Sequence, residues 1–152
     1  MITKETLLDN FDYIDGNLFF KKNNKQAGTI HHTGYRAIIF RRKWYLAHRL
    51  VWLLHHGYLP PMLDHIDGNK LNNNIHNLRV ATPTQNQQNR RIPKNNKTGV
   101  KGISICPKTK KWKCQININK KLVYLGTYSD FDVAINVINK ARAEAHGDFA
   151  RF

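Results

Sequence analysis

Between residues 11 and 47, apolar and polar positions alternate in short runs broken by glycine and polar turns, which is the period of half-buried strands. "GNLFF" follows an Asp15-Gly16 turn, "GYRAIIF" follows Thr33-Gly34, and "KWYLAH" closes the series. A small antiparallel sheet is expected. "AHRLVWLLHHG" then has the length and apolar density of a buried helix, ending at Gly57, and Pro60 and Pro61 prevent its continuation. Next, "DHIDG" reads as a strand running into a turn, and "NLRVAT" as the return strand. Thr82, Pro83 and Gln85 supply a helix cap, a first-turn proline and a capping-box partner. The local order is strand, loop, strand, helix.

After Arg90 the pattern lapses into "RRIPKNNKTG", a basic stretch with proline and glycine that reads as a connection between modules. Beyond it, "GVKGISIC", "KWKCQINI" and "LVYLGTY" are three strand-like runs, predicting a meander. Alternation in the second run sends Trp112, Cys114, Ile116 and Ile118 to one face and Lys111, Lys113, Gln115 and Asn117 to the other. Ser129 and Asp132 form a capping box, and Ala134, Val137, Ile138, Ala141 and Ala145 recur at helical spacing up to Gly147. One amphipathic helix should therefore cover the apolar face of the sheet. The fold class is α+β, divided into residues 1–91, a linker at 92–97 and a second module at 98–152.

Charge adds a partner to this outline. The 152 residues carry 25 Lys and Arg against 10 Asp and Glu, a formal charge of +15, so the molecule attracts polyanions, of which nucleic acid is the commonest. Eleven of those cations fall between residues 90 and 121, a stretch with no acid, interleaved with the aromatic Trp112 and alternating apolar residues. The polar sheet face with Tyr124 beside it suits phosphate neutralisation together with hydrogen bonding to base edges. No apolar run approaches the roughly 18 residues of a membrane span, and "MITKETLLDNFDY" carries acids where a signal peptide has a basic flank. A cytoplasmic protein is expected. Cys106 and Cys114 are the only cysteines and lack the paired spacing of a structural zinc site.

The stretch from Leu63 to Arg91, "LDHIDGNKLNNNIHNLRVATPTQNQQNRR", holds the candidate chemistry. Folding strand against strand and adding the helix would gather Asp64, His65 and Asn86 around one small site. Hydrolysis of a phosphodiester needs a base for the attacking water and a cation for the charge on the phosphate and leaving oxygen. His65 suits the first task, with an ordinary pKa near ~6.5. Asp64 and Asn86 offer the hard oxygens that magnesium or manganese prefers, with positions left for substrate. Asn77 could hold His65 through a ring nitrogen or through the loop backbone. An EF-hand reading of "DHIDGN" fails, because aligning Gly68 with the glycine position of that loop puts Leu63 at the first ligand position and leaves no glutamate at the last. His31, His32, His55 and His56 form adjacent pairs and are assigned no metal, while His48 and Arg49 are expected to pack or touch phosphate.

These residues resemble the ββα-metal motif of HNH nucleases, in the branch of phage and intron-encoded homing endonucleases that reads "DH", "DGN", "NNxxxNLR" and a final asparagine. The resemblance implies His65 as general base, Asp64 and Asn86 as metal ligands and Asn77 as the central asparagine, with His76 and Asn89 the alternatives in so asparagine-rich a stretch. Asparagine in place of histidine at the last position argues for a hard ion, Mg²⁺ or Mn²⁺, over zinc. "GYRAIIFRRKWYLAHRLVWLLHHG" resembles the region that precedes the motif in these enzymes. Residues 98–152 resemble the Apetala-two/ethylene-response-factor DNA-binding domain, through "GVKGIS", "KWKCQINI" and "YLGTYSDFDVAINVINKA". That likeness implies a sheet lying in the major groove, with Lys101, Ser104, Gln115, Asn117 and Tyr124 contacting DNA beside the basic Lys111 and Lys113. The expected activity is site-specific cleavage of double-stranded DNA to 5′-phosphate and 3′-hydroxyl ends, by a monomer or homodimer. A DNA-binding protein with an inactive nuclease fold is the main alternative, and an RNA- or ribosome-binding protein fits the charge without explaining the site.

Overall fold

The computed structural model describes residues 2–90, 92–93 and 95–152; Arg91 and Lys94, which belong to the stretch read as a connection, lie outside the described residues. The chain divides into two compact units, residues 1–82 and 83–152. The helix after Thr82 thus groups with the second unit.

The first unit opens with a helix that the strand pattern does not announce, α1 (Lys4–Asn10), capped by the Thr3 side chain and anchored by the buried Leu7. Then come β1 (Phe11–Ile14), β2 (Asn17–Phe20) and β3 (Lys25–Gln26), hydrogen-bonded in the order β1-β2-β3. Asp15 and Gly16, both at positive φ (46° and 81°), make the two-residue turn between the first two strands. A second sheet, β4-β5-β6, is built from Thr29–Ile30, Arg36–Phe40 and Lys43–Leu46. The expected sheet is therefore two small antiparallel ones, with Gly28, at positive φ and close to the Ala37 backbone, in the connection between them.

Helix α2 (Ala47–His56) ends at Gly57 in the left-handed conformation, whose N–H returns to the Leu53 carbonyl, as the sequence predicts. Ala47, His48, Leu50, Val51, Trp52, Leu53 and Leu54 are all buried, so the helix is apolar nearly all round and forms the centre of the unit. Leu7, Phe11, Leu18, Ile38, Leu63 and Leu78 close on it. Arg49 donates to the carbonyls of Pro60 (3.0 Å) and Pro61 (3.4 Å), tying the bend after the helix to its first turns. That bend delivers the chain to a two-stranded ribbon, β7 (Leu63–His65) with β8 (Leu78–Val80).

The second unit begins with the short helix α3 (Pro83–Gln88), followed by β9 (Ile103–Ile105), β10 (Trp112–Ile118), β11 (Lys121–Tyr128) and α4 (Phe131–His146). The strands form the expected meander in the order β11-β10-β9, all antiparallel. Its core is Ile103, Cys114, Ile116, Ala134 and Ile138, with Trp112, Ile118, Leu125, Phe131, Ala141 and Ala145 packed around them. Asp130 caps α4, accepting from the N–H groups of Asp132 (2.7 Å) and Val133 (3.2 Å). The capping position is thus one residue beyond the predicted Ser129. Part of the stretch read as a linker is also stitched down. Asn96 Oδ1 accepts from the N–H groups of Thr98 and Gly99 (both 2.9 Å).

Candidate functional site

The asparagines between β7 and β8 build a loop out of their own side chains. Asp67, Asn69, Asn72 and Asn74 each accept the N–H two residues ahead, at 2.7, 3.1, 3.4 and 3.0 Å, a run of Asx turns that ends in a short 3₁₀ turn at Ile75–Asn77. Asp67 is the hub. Its carboxylate also accepts from Asn72 Nδ2 (2.7 Å) and Asn77 Nδ2 (3.0 Å). Burial raises the Asp67 pKa, but those amides, the Asn69 N–H and the charge of His65 outweigh burial and hold it below the ordinary carboxylate value.

Asn77 spends its whole amide in this loop. Nδ2 donates to Asp67 Oδ1 and to the Asn72 carbonyl (2.8 Å), while Oδ1 accepts the Asp67 N–H (3.1 Å). These bonds tie Asn77 to the loop backbone at Asp67 and Asn72. Two distant residues hold the loop from below. The Ile75 N–H donates to the Tyr13 hydroxyl (3.0 Å), and the Gly16 turn presses so close that a Cβ there would lie 2.6 Å from the Asn74 nitrogen.

Register places the two charged residues of the ribbon opposite each other. Asp64 pairs with Arg79 across β7 and β8, and the guanidinium donates twice to Asp64 Oδ2, from Nε (3.0 Å) and Nη2 (2.9 Å). Asp64 is 5% exposed, so this is a largely desolvated, two-pronged ion pair. Sequence reasoning gave Arg79 no role. The signal was its place in "NLR", directly opposite "DH" once the two runs are paired as strands.

His65 is 4% exposed, and its Nε2 lies 3.0 Å from Oδ1 of the fully buried Asn73. Its ring meets that of His48 edge-on at 5.1 Å, with Tyr35 alongside at 6.0 Å from the His65 ring and 5.2 Å from that of His48. Lys70 covers the outer face of Tyr35 at 4.6 Å and donates to the Thr33 carbonyl (2.9 Å). Burial dominates the proton chemistry of this wall. It lowers the pKa of His65 against the raising effects of Asn73, Asp67 and Asp64, and it takes His48 down to about 3, with help from His65 and Arg49. Burial and the Asp64 charge raise Tyr35. His65 is therefore neutral near pH 7 and able to accept a proton, whereas His48 serves as a neutral packing surface.

The donor chemistry fits a hard divalent cation. Asp64 offers a hard carboxylate oxygen of the kind magnesium takes while keeping several waters, and among the described residues no group of three His, Cys, Asp or Glu could hold a metal. Asn86, the other predicted ligand, is half-buried on α3 in the second unit, and the alternative Asn89 is buried just beyond that helix. His76 lies in the 3₁₀ turn, where its N–H is bound by Asn74.

In the second unit, the predicted polar face is assembled by strand register. Ser104, Lys113 and Thr127 lie in one row, Gln115 and Tyr124 in the next, Asn117 and Leu122 in the third. β11 carries an extra residue, Leu125, between the partners of Cys114 and Gln115; the bulge sends Leu125 to the core and leaves Tyr124 and Thr127 on the same outer face, hydroxyls 2.7 Å apart. Lys111 is exposed just before β10. Lys101 lies in the turn before β9 and is half-buried. It donates to the Gln88 carbonyl (3.2 Å), and burial followed by the charges of Arg142, Arg151 and Arg90 lowers its pKa to about 8.

Residues 45–88 match the family profile described as HNH endonuclease, a span running from β6 through α2 and the β7–β8 ribbon to α3. Protein 3.8 of Escherichia phage T7 is 36% identical over 107 residues, covering 69% of this chain and 88% of that protein. An uncharacterized HNH endonuclease of Acanthamoeba polyphaga mimivirus is 30% identical over 166 aligned positions, covering 96% of this chain and 86% of its own length. The chain belongs to the HNH endonuclease family. No solved structure matches it. Membership makes DNA the substrate class, and HNH nucleases are generally divalent-metal dependent. Among the described residues no helix is long and apolar enough to cross a membrane.

Proposed function

We propose that this HNH protein is a metal-dependent, site-specific DNA endonuclease of the homing type, with a nuclease module at residues 1–91 and an Apetala-two/ERF-like DNA-binding module at 98–152. The observation that carries the reading is His65, buried, neutral and braced by Asn73, in the residue next to a desolvated carboxylate. His65 takes a proton from the attacking water, the water oxygen bonds to phosphorus, and the bond to the 3′-oxygen breaks. The leaving 3′-oxygen takes a proton from solvent, the proton on His65 passes to solvent, and the products are 5′-phosphate and 3′-hydroxyl ends. Asp64 and Asn86 are the residues that would hold Mg²⁺ or Mn²⁺, which supplies neutralisation of charge on the phosphate and the leaving oxygen. Asn77 keeps the catalytic loop in shape through Asp67.

Ser104, Lys111, Lys113, Gln115, Asn117 and Tyr124 would form the duplex-contacting face, with lysines on phosphate and amides on base edges. Lys101 would contact the duplex with them. One active site per chain cuts one strand, so a monomer nicks and a homodimer cuts both strands. The pairing of Arg79 with Asp64 favours the rival reading, a DNA-binding protein whose nuclease site is already neutralised.

A time course on supercoiled plasmid and phage DNA separates the two, run with Mg²⁺, with Mn²⁺, with chelator and with His65→Ala. Cleavage that stops with chelator and falls by about 10²–10⁴-fold in His65→Ala is the expected result. Tight duplex binding without cleavage in either metal selects the rival, and 3′-phosphate ends rule out the proposed step.

A further inference from the structure

A buried amide with an unused hydrogen is costly, and the first unit contains one beside its candidate base. Asn73 is 1% exposed, its Oδ1 faces His65 Nε2 at 3.0 Å, and its Nδ2 has no partner among the described residues. Leaving such a donor unsatisfied costs about 1–3 kcal/mol, so an apolar residue of the same shape would serve stability better. Polarity at this position is therefore explained by the one bond that it makes. Asn77, the asparagine expected to attend His65, is fully committed to Asp67 and Asn72 and leaves the ring nitrogen to Asn73.

An amide oxygen only accepts, so the bond requires a hydrogen on Nε2 and leaves the lone pair of the neutral ring on Nδ1. We infer that Asn73 is a positioning residue that fixes the tautomer and ring orientation of His65, making Nδ1 the atom that takes the proton from water. Asn73 is itself held in place: its N–H donates to the Leu71 carbonyl (3.1 Å), and the Gly16 turn closes on the Asn73–Asn74 peptide. A hairpin nearly sixty residues upstream thus sets the aim of the base.

This inference rests on His65 being the general base. Its test combines cleavage kinetics with ¹⁵N–¹H correlation spectra of ¹⁵N-histidine-labelled protein, with the His65 ring signals assigned through His65→Gln. Wild type should show the hydrogen on Nε2. Asn73→Asp keeps an acceptor and should keep that tautomer, with cleavage within several-fold of wild type. Asn73→Leu removes the acceptor and should show hydrogen on Nδ1, with kcat lower by about 10–100-fold and KM for DNA unchanged. Should Asn73→Leu fail to fold, the wild-type and Asn73→Asp spectra still decide the tautomer. Hydrogen on Nδ1 in the wild type overturns the inference, as does Asn73→Leu cleaving at the wild-type rate. A wild type with no cleavage in either metal overturns the general-base reading and this inference with it, a result distinct from the previous two.

Discussion

The β7–β8 ribbon and the β9–β11 sheet are both small antiparallel structures, yet they are held by different forces. The sheet stands on alternation: one face meets α4 through Cys114, Ile116, Ala134 and Ile138, and its polar face follows from the pleat. The ribbon has only three residues per strand, and the loop between its strands relies on side-chain bonds to backbone and on Tyr13 and Gly16 from far upstream. A fold held by alternation tolerates many substitutions on its open face, because that face carries little of the packing. A loop held by amides ties chemistry and folding together, so removing one of its acceptors disturbs both.

The largest expected difference between the two regions is in acid. The wall beside the ribbon buries His48 and His65, both with folded pKa below the ordinary histidine value, and His48 falls to about 3. The unfolded chain therefore binds more protons than the folded one between pH ~6.5 and ~3. The stability linked to His48 is fully present above pH ~6.5 and is lost as pH falls towards ~3, a linkage on the order of 5 kcal/mol. Melting temperature measured by calorimetry should fall steeply across this window. In His48→Leu the slope should flatten, even if the variant melts lower at neutral pH. An unchanged slope would mean that His48 is not the buried neutral group described.

Asp67 comes next. Asp67→Ala removes the acceptor for the Asn69 N–H and for the amides of Asn72 and Asn77 in one change. Cleavage should drop by about 10–100-fold, the range for partners one step removed from a catalytic group. Duplex affinity, which the proposal assigns to the basic sheet, should stay within about twofold, a change of under ~0.5 kcal/mol. A parallel loss of affinity would show that the loop and the sheet do not divide the work in this way.

The same contrast explains what was legible in the sequence. Helix α2, its Gly57 stop, the three-strand meander and the inward Cys114 and Ile116 all came from local period and turn residues, which act over a few positions. The Asx turns were within reach too, since Asp and Asn recur at the spacing that binds the N–H two residues on. Asn73 and Arg79 were missed because their roles depend on pairing β7 with β8, and Tyr13 and Gly16 because their contacts span about sixty residues. Helix α1 was missed although Thr3 is a good cap; its apolar stretch is short and its stability comes from Leu7 in the core. At α4, Asp130 outcompetes Ser129 because a carboxylate binds two N–H groups of the first turn at once.

Within the sheet, the finest division proposed is between reading a sequence and holding a backbone. Gln115 sits opposite Tyr124 and Asn117 opposite Leu122 in the centre of the open face, whereas Lys113 stands in the row of Ser104 and Thr127. Gln115→Ala with Asn117→Ala should lose discrimination between specific and random duplex, by about 1–3 kcal/mol for each bidentate amide–base pairing removed. Lys113→Ala should weaken both duplexes alike and reduce the slope of log K against log salt by about 1, because a single phosphate is no longer neutralised and its counterion is no longer released. Titrations at several salt concentrations on both duplexes measure the two effects together. If the double variant lost affinity equally on specific and random DNA, the amides would be holding backbone like the lysine, and the open face would anchor the protein without reading the sequence.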